Sequence, residues 1–153
     1  MIEQTLAKWH LHLRGQLPGG LDELLHDDVV FFSPIVFTPQ RGKDLTRAYL
    51  SAAGATFVGG EDPAAPSGVD GAPASKNPGG FRYVKELTTG NHAILEFETT
   101  MDGKYVNGVD IITCDDDGKI VEFKVMIRPL QAVNTVHEQM RTMLEQMVAD
   151  GPA

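Results

Sequence analysis

One cysteine, Cys114, is all that the 153-residue chain contains, so no disulfide can form within it. No stretch approaches the roughly 18 consecutive apolar residues of a membrane-spanning helix, so no membrane span is expected. Basic residues are scarce: 13 Lys and Arg face 21 Asp and Glu, for a formal net charge of −8. That balance argues against nucleic acid and anionic membrane surfaces as partners, because both reward basic patches. The opening Met-Ile-Glu-Gln-Thr-Leu lacks a basic segment followed by an apolar run, so no secretory leader is expected and a cytoplasmic location is. Metal-ligand spacing is also missing. His10 and His12 stand two apart on a helix and diverge, while His26, His92 and His137 are scattered. The run Asp115-Asp116-Asp117 is too short for a calcium loop and reads as a solvated hairpin. No internal repeat is visible.

What is present is apolar content enough for a core. Hydrophobic residues make up 42% of the chain, and its length suits one domain, residues 1–153. Ile2, Leu6, Trp9 and Leu13 recur at helical spacing and predict a first amphipathic helix. Leu17-Pro18-Gly19-Gly20 ends it, and a short second helix carries Leu21, Leu24 and Leu25. Val29 to Phe32 reads as a short strand. Gly42-Lys43-Asp44 opens a third helix with Leu45, Ala48, Tyr49 and Ala52 on its apolar side. From Gly59 to Gly80 glycine, proline, alanine and serine dominate, which predicts a flexible insertion, either solvated or lying over a pocket.

Four strands then follow, at Phe81–Leu87, Ala93–Met101, Tyr105–Cys114 and Ile120–Ile127, with Asp102-Gly103 as a strong hairpin signal. Pro129 stops the last, and Val133, Val136, Met140, Met143, Leu144 and Met147 step along a final helix. Helices first and a meander afterwards give an α+β fold: a curved antiparallel sheet wrapped round the N-terminal helices, with an extra C-terminal helix. Long strands twist and coil, so the concave face encloses a cone-shaped pocket.

Alternation along the third of these strands places Val106, Gly108, Asp110, Ile112 and Cys114 on one face. Asp110 therefore sits among apolar neighbours in mid-strand, where burying its charge is costly. A carboxyl held there tends to stay protonated and can donate a hydrogen bond. A structural Asp bonded to a backbone amide or a tyrosine hydroxyl is the competing reading. Trp9, Tyr49, Phe57 and Tyr83 are either pocket walls or ordinary core, and Cys114 reads as an inert strand residue. Val109, Ile111 and Met126 make the opposite face apolar too, which predicts a partner there, most simply a second copy of the chain.

Two segments carry a family likeness. VDIITCDDDGKIVEFKVMIRPLQAV, Val109 to Val133, and LLHDDVVFFSPIVFTPQRG, Leu24 to Gly42, resemble stretches of the nuclear transport factor 2-like superfamily. That group includes ketosteroid isomerases, SnoaL-type polyketide cyclases and limonene epoxide hydrolases, and its fold is of the cystatin-like roll type. The resemblance puts Asp110 where ketosteroid isomerases keep a protonated aspartic acid in their oxyanion hole. Their catalytic base falls on Ser33, just before Pro34, and their oxyanion tyrosine falls on Trp9. The arginine of the epoxide hydrolases falls on Gly108, and the His-Trp-Asp-like run of the cyclases on Phe123-Lys124-Val125.

What the resemblance implies is an apolar pocket for a small oxygen-bearing molecule. Its walls would be Trp9, Leu13, Ser33, Tyr49, Phe57, Tyr83, Phe97, Val106, Ile112, Phe123 and Val125. It also implies isomerase, cyclase or lyase chemistry at Asp110, with no cofactor and no metal. A non-catalytic binding protein or a homodimeric interaction module is the alternative.

Overall fold

The computed structural model describes residues 2–53 and 80–150, with side chains through Gln146. Phe57, the side chain of Met147 and the insertion expected at 59–80, apart from Gly80, lie outside the described residues. The elements run α1 (Ile2–Leu13), α2 (Gly20–Leu24), β1 (Leu25–Phe32), β2 (Gln40–Arg41) and α3 (Lys43–Ala53), then β3 (Arg82–Thr89), β4 (His92–Met101), β5 (Lys104–Cys114), β6 (Ile120–Arg128) and α4 (Leu130–Asp150).

Local chemistry accounts for most of these boundaries. In α1 the buried residues Ile2, Thr5, Leu6 and Trp9 form one helical stripe. Leu25, expected on α2, instead opens β1 and is buried there. On α3 the buried side runs through Thr46 and Leu50, and Leu45 is left 40% exposed. Asp102 and Gly103 both have left-handed backbone, with φ of 57° and 75°, and close a two-residue turn between the paired Met101 and Lys104.

One curved, unclosed six-stranded sheet is ordered β2-β1-β6-β5-β4-β3. The meander from β3 to β6 is antiparallel throughout, whereas β1 adds in parallel to β6. That one parallel pairing moves β6 from the edge to the interior of the sheet, between β1 and β5. All the large helices lie on the same face. Tyr49 of α3 stacks on Phe31 of β1 at 5.4 Å between ring centroids, and Trp9 of α1 meets Phe123 of β6 at 5.0 Å. Helix α4 packs on β4, β5 and β6 and against α3.

The core forms two clusters. One gathers α1, α2, β1 and the far ends of β4 to β6 around Ile2, Leu24, Leu95, Ile112 and Phe123. The other lies beneath α4 around Phe97, Met101, Val106, Ala132 and Val136. Tyr83 and Val125 pack against both clusters.

A bulge in β3 decides which side chains reach this inner face. Tyr83 pairs with Phe97, but Lys85 pairs with Glu96, so Val84 is an extra residue. Strand parity flips at that point. Tyr83 stays inside, Glu86 turns inside to meet His10 of α1 at 2.8 Å, and Leu87 turns outward and is 56% exposed.

Candidate active site

Asp110 occupies the middle of β5, paired with Leu95 of β4 on one side and Val125 of β6 on the other. With strands on both flanks and helices above, its side chain is only 6% exposed. Burial disfavours the charged form and pushes its carboxyl up to about 7, against a smaller opposing effect from the hydrogen bond it receives. That bond comes from Tyr83, whose Oη donates to Asp110 Oδ2 at 2.6 Å. Behind it, Trp9 Nε1 donates to Tyr83 Oη at 3.0 Å. An indole N–H can only donate, so Tyr83 accepts from Trp9 and its own proton is left for Asp110. Burial first, and then the charge of Asp110, hold the Tyr83 phenol well above its ordinary range, so it keeps its proton.

This chain of three residues borders a cavity of about 500 Å³ between the sheet and the helices. Asp110, Trp9, Leu13, Ser33, Tyr49, Tyr83, Phe97, Phe123 and Val125 all line it. Val106 and Ile112 do not, a correction to the sequence-based wall. Both share the face of Asp110, but Val106 is sealed under α4 and Ile112 within the cluster beneath α1, each with no exposed surface. Helices cover both ends of β5, and only its middle faces open space.

Gly108, beside that middle, makes room for the Phe97 ring. A Cβ there would lie 2.5 Å from Phe97 Cζ and 2.5 Å from the Met126 carbonyl oxygen. Phe97 pairs directly with Gly108, so its ring lies over a position with no side chain, and an arginine would not fit.

Ser33 lines the cavity as well, but its hydroxyl closes a turn, accepting from the backbone N–H of Ile35 at 2.9 Å and of Val36 at 3.2 Å. Several cavity residues went unrecognised in the sequence. Helix α4 supplies a whole wall through Val136, His137, Met140, Arg141, Leu144 and Glu145. The Val136-Met140-Leu144 stripe was the visible signal, and nothing local said that it faces a void rather than packed core. His12 also lines the cavity, with its ring centroid 5.4 Å from that of Trp9. Burial lowers its affinity for a proton, so the neutral form is favoured. Cys114 is buried and free. Among the described residues no three His, Cys, Asp or Glu side chains are grouped to hold a metal ion, and no helix is long and apolar enough to cross a membrane.

No protein-family model and no curated protein matches the sequence. Solved structures do match. A steroid delta-isomerase from Pseudomonas aeruginosa is 32% identical, with 97% of this chain and 94% of that one covered and a TM-score of 0.77. An uncharacterised bacterial protein with a cystatin-like fold from Silicibacter pomeroyi is 26% identical over 90% of this chain and 83% of that one, with a TM-score of 0.68. An NTF2-like protein of unknown function from Mesorhizobium loti shares the fold at 18% identity, covering 84% of this chain and 91% of its own, with a TM-score of 0.61. The sheet order, the helices gathered on one face and the full-length likeness to the isomerase converge on one family: the chain belongs to the nuclear transport factor 2-like superfamily.

Proposed function

We propose that the cavity takes a small apolar molecule bearing a carbonyl or hydroxyl oxygen, and that Asp110 serves this oxygen as a general acid in cofactor-free isomerase, cyclase or lyase chemistry. The observation that carries the reading is the buried carboxyl of Asp110 at the wall of a mostly apolar cavity, held by Tyr83 at 2.6 Å. A carboxyl with a pKa of about 7 is partly protonated at neutral pH, so it can give a proton and take it back. Once the proton has gone, the Tyr83 hydroxyl stabilises the carboxylate, and Trp9 keeps that hydroxyl aimed. The apolar walls exclude water and strengthen each of these interactions. The likeness to a steroid delta-isomerase supports keto-steroids with an unconjugated double bond as first probes.

Trp9 is the only tryptophan and lines the cavity, so its fluorescence reports occupancy directly. Titration with the keto-steroid panel is expected to change that emission. Asp110→Asn keeps a hydrogen-bond donor but cannot transfer a proton, so it is expected to bind the probes and turn them over about 100-fold more slowly. Equal turnover by Asp110→Asn and the wild type would sink the acid role.

A second reading, a binding protein without chemistry, is supported by Ser33. By the family resemblance Ser33 falls where the base would be, and its hydroxyl is engaged by two backbone N–H groups. Native mass spectrometry decides between the two: a co-purified molecule released unaltered favours binding, and its conversion on incubation favours catalysis.

The outer face of the sheet supports a homodimer. Leu87, Ile94 and Ile111 form one row across three strands, and Val109 pairs with Met126 beside it. Leu87, Ile94 and Met126 are 56%, 40% and 52% exposed, an apolar area of the kind that associates. Met126→Lys is expected to give a monomer in sedimentation velocity, and a wild type that is itself monomeric would remove the proposal.

A further inference from the structure

Proton transfer from carbon needs a base as well as the acid, and the structure narrows the choice by elimination. Among the described residues the titratable side chains on the cavity wall are His12 of α1, Tyr49 of α3, Tyr83 of β3, Asp110 of β5, and His137, Arg141 and Glu145 of α4. Tyr83 keeps its proton for Asp110, Tyr49 is stacked on Phe31, and Arg141 stays charged. Glu145 is exposed and lies 3.7 Å from Arg141. His137 is exposed. His12 differs from all of these. It is half-buried, it stands one helical turn beyond Trp9 on the same face, and its ring packs against the indole that anchors Tyr83 and Asp110. Among the described residues none hydrogen-bonds its imidazole, whereas His10, two positions earlier, is engaged by Glu86.

We propose that His12 is the general base of this site, taking a proton from a carbon of the bound molecule while Asp110 serves its oxygen. The proposal rests on the reading of the cavity given above. In the first step the imidazole lone pair forms an N–H bond. The electron pair of the C–H bond moves into a new C=C bond, and the carbonyl oxygen takes the proton of Asp110. In the second step the enol O–H returns its proton to Asp110, and the imidazolium gives its proton to a different carbon. The double bond has moved, atoms and electrons balance, and no oxidant or co-reactant is consumed. Desolvation of His12 keeps the base in its free form at neutral pH, opposite in sense to the effect of burial on Asp110.

His12→Ala suits the test, since alanine favours the helix and leaves a gap the size of the ring. The probes are unconjugated keto-steroids, with binding read from Trp9 emission. The expected result is a fall in kcat of about 100-fold or more with binding changed less than about threefold. Added imidazole is expected to restore part of the loss, and a melting curve checks the fold. The low-pH limb of the rate profile, set by the wild-type imidazole, should disappear in His12→Ala without imidazole. Turnover unchanged in His12→Ala, or a loss that imidazole does not touch while binding and melting stay normal, overturns the base role. Binding without turnover by the wild type overturns it too, and leaves the binding reading standing. Absence of any binding by the wild type removes the reading of the cavity and this proposal with it.

Discussion

Tyr83 and Asp110 come from strands that are not neighbours, β3 and β5, and their side chains still meet at 2.6 Å across the intervening β4. The bulge at Val84 sets this geometry, since β3 enters the sheet with Tyr83 inward and leaves it with the opposite parity. Tyr83→Phe removes the donor that favours the Asp110 carboxylate, so Asp110 should hold its proton to higher pH than in the wild type. It also strands the buried Trp9 N–H, at a cost of about 1–3 kcal/mol. Carboxyl carbon NMR titration checks the first outcome, and urea unfolding the second. An Asp110 titration that moves downward would contradict the assigned direction of the bond.

Asp110 ties stability to pH with a definite sign. Its folded pKa of about 7 lies above the ordinary value of 3.8, so its contribution is fully present below about pH 4 and is lost as pH rises toward 7. The unfolded chain releases this proton first, and the folded chain must follow at a cost on the order of 4 kcal/mol. Asp110→Asn has no carboxyl proton to release. Its stability relative to the wild type should therefore climb between pH 4 and pH 7 and level off above. Urea titrations of both proteins at several pH values measure the difference, and parallel curves would refute it.

Gly108→Ala should cost about 1–3 kcal/mol, because the added Cβ meets both the Phe97 ring and a backbone carbonyl. The double variant with Phe97→Leu should recover only the part due to the ring, since the Met126 carbonyl belongs to the sheet. Full recovery would mean that the backbone contact yields freely.

Val125 and Ile112 distinguish a wall from a core. Val125→Phe adds volume where there is open space, so binding of a steroid probe should fall more than about tenfold while stability stays within about 1 kcal/mol. Ile112→Phe adds less volume where there is none and should cost about 1–3 kcal/mol. Chemical denaturation and Trp9 fluorescence measure both, and equal losses of stability would contradict the difference in placement.

The determinants legible along the chain were local ones. Alternation from Ala93 to Cys114 and the left-handed Asp102-Gly103 turn specify a hairpin without help from elsewhere, and the same alternation puts Asp110 on the face of Val106 and Ile112. The α1 stripe is equally local, and Trp9 is on it because helical period alone puts it there. Tertiary structure decided what each of these residues meets. Residues 9, 83 and 110 share one hydrogen-bonded chain only because α1 crosses the sheet at the β3 bulge, and a bulge is one extra residue that no periodicity marks. The parallel docking of β1 on β6, the sealing of Val106 and Ile112, and the place of His12 on the cavity wall depend on which helix covers which part of the sheet. Periodicity assigns a side chain to a face, and long-range packing then determines whether that face meets a neighbour, a void or a proton partner.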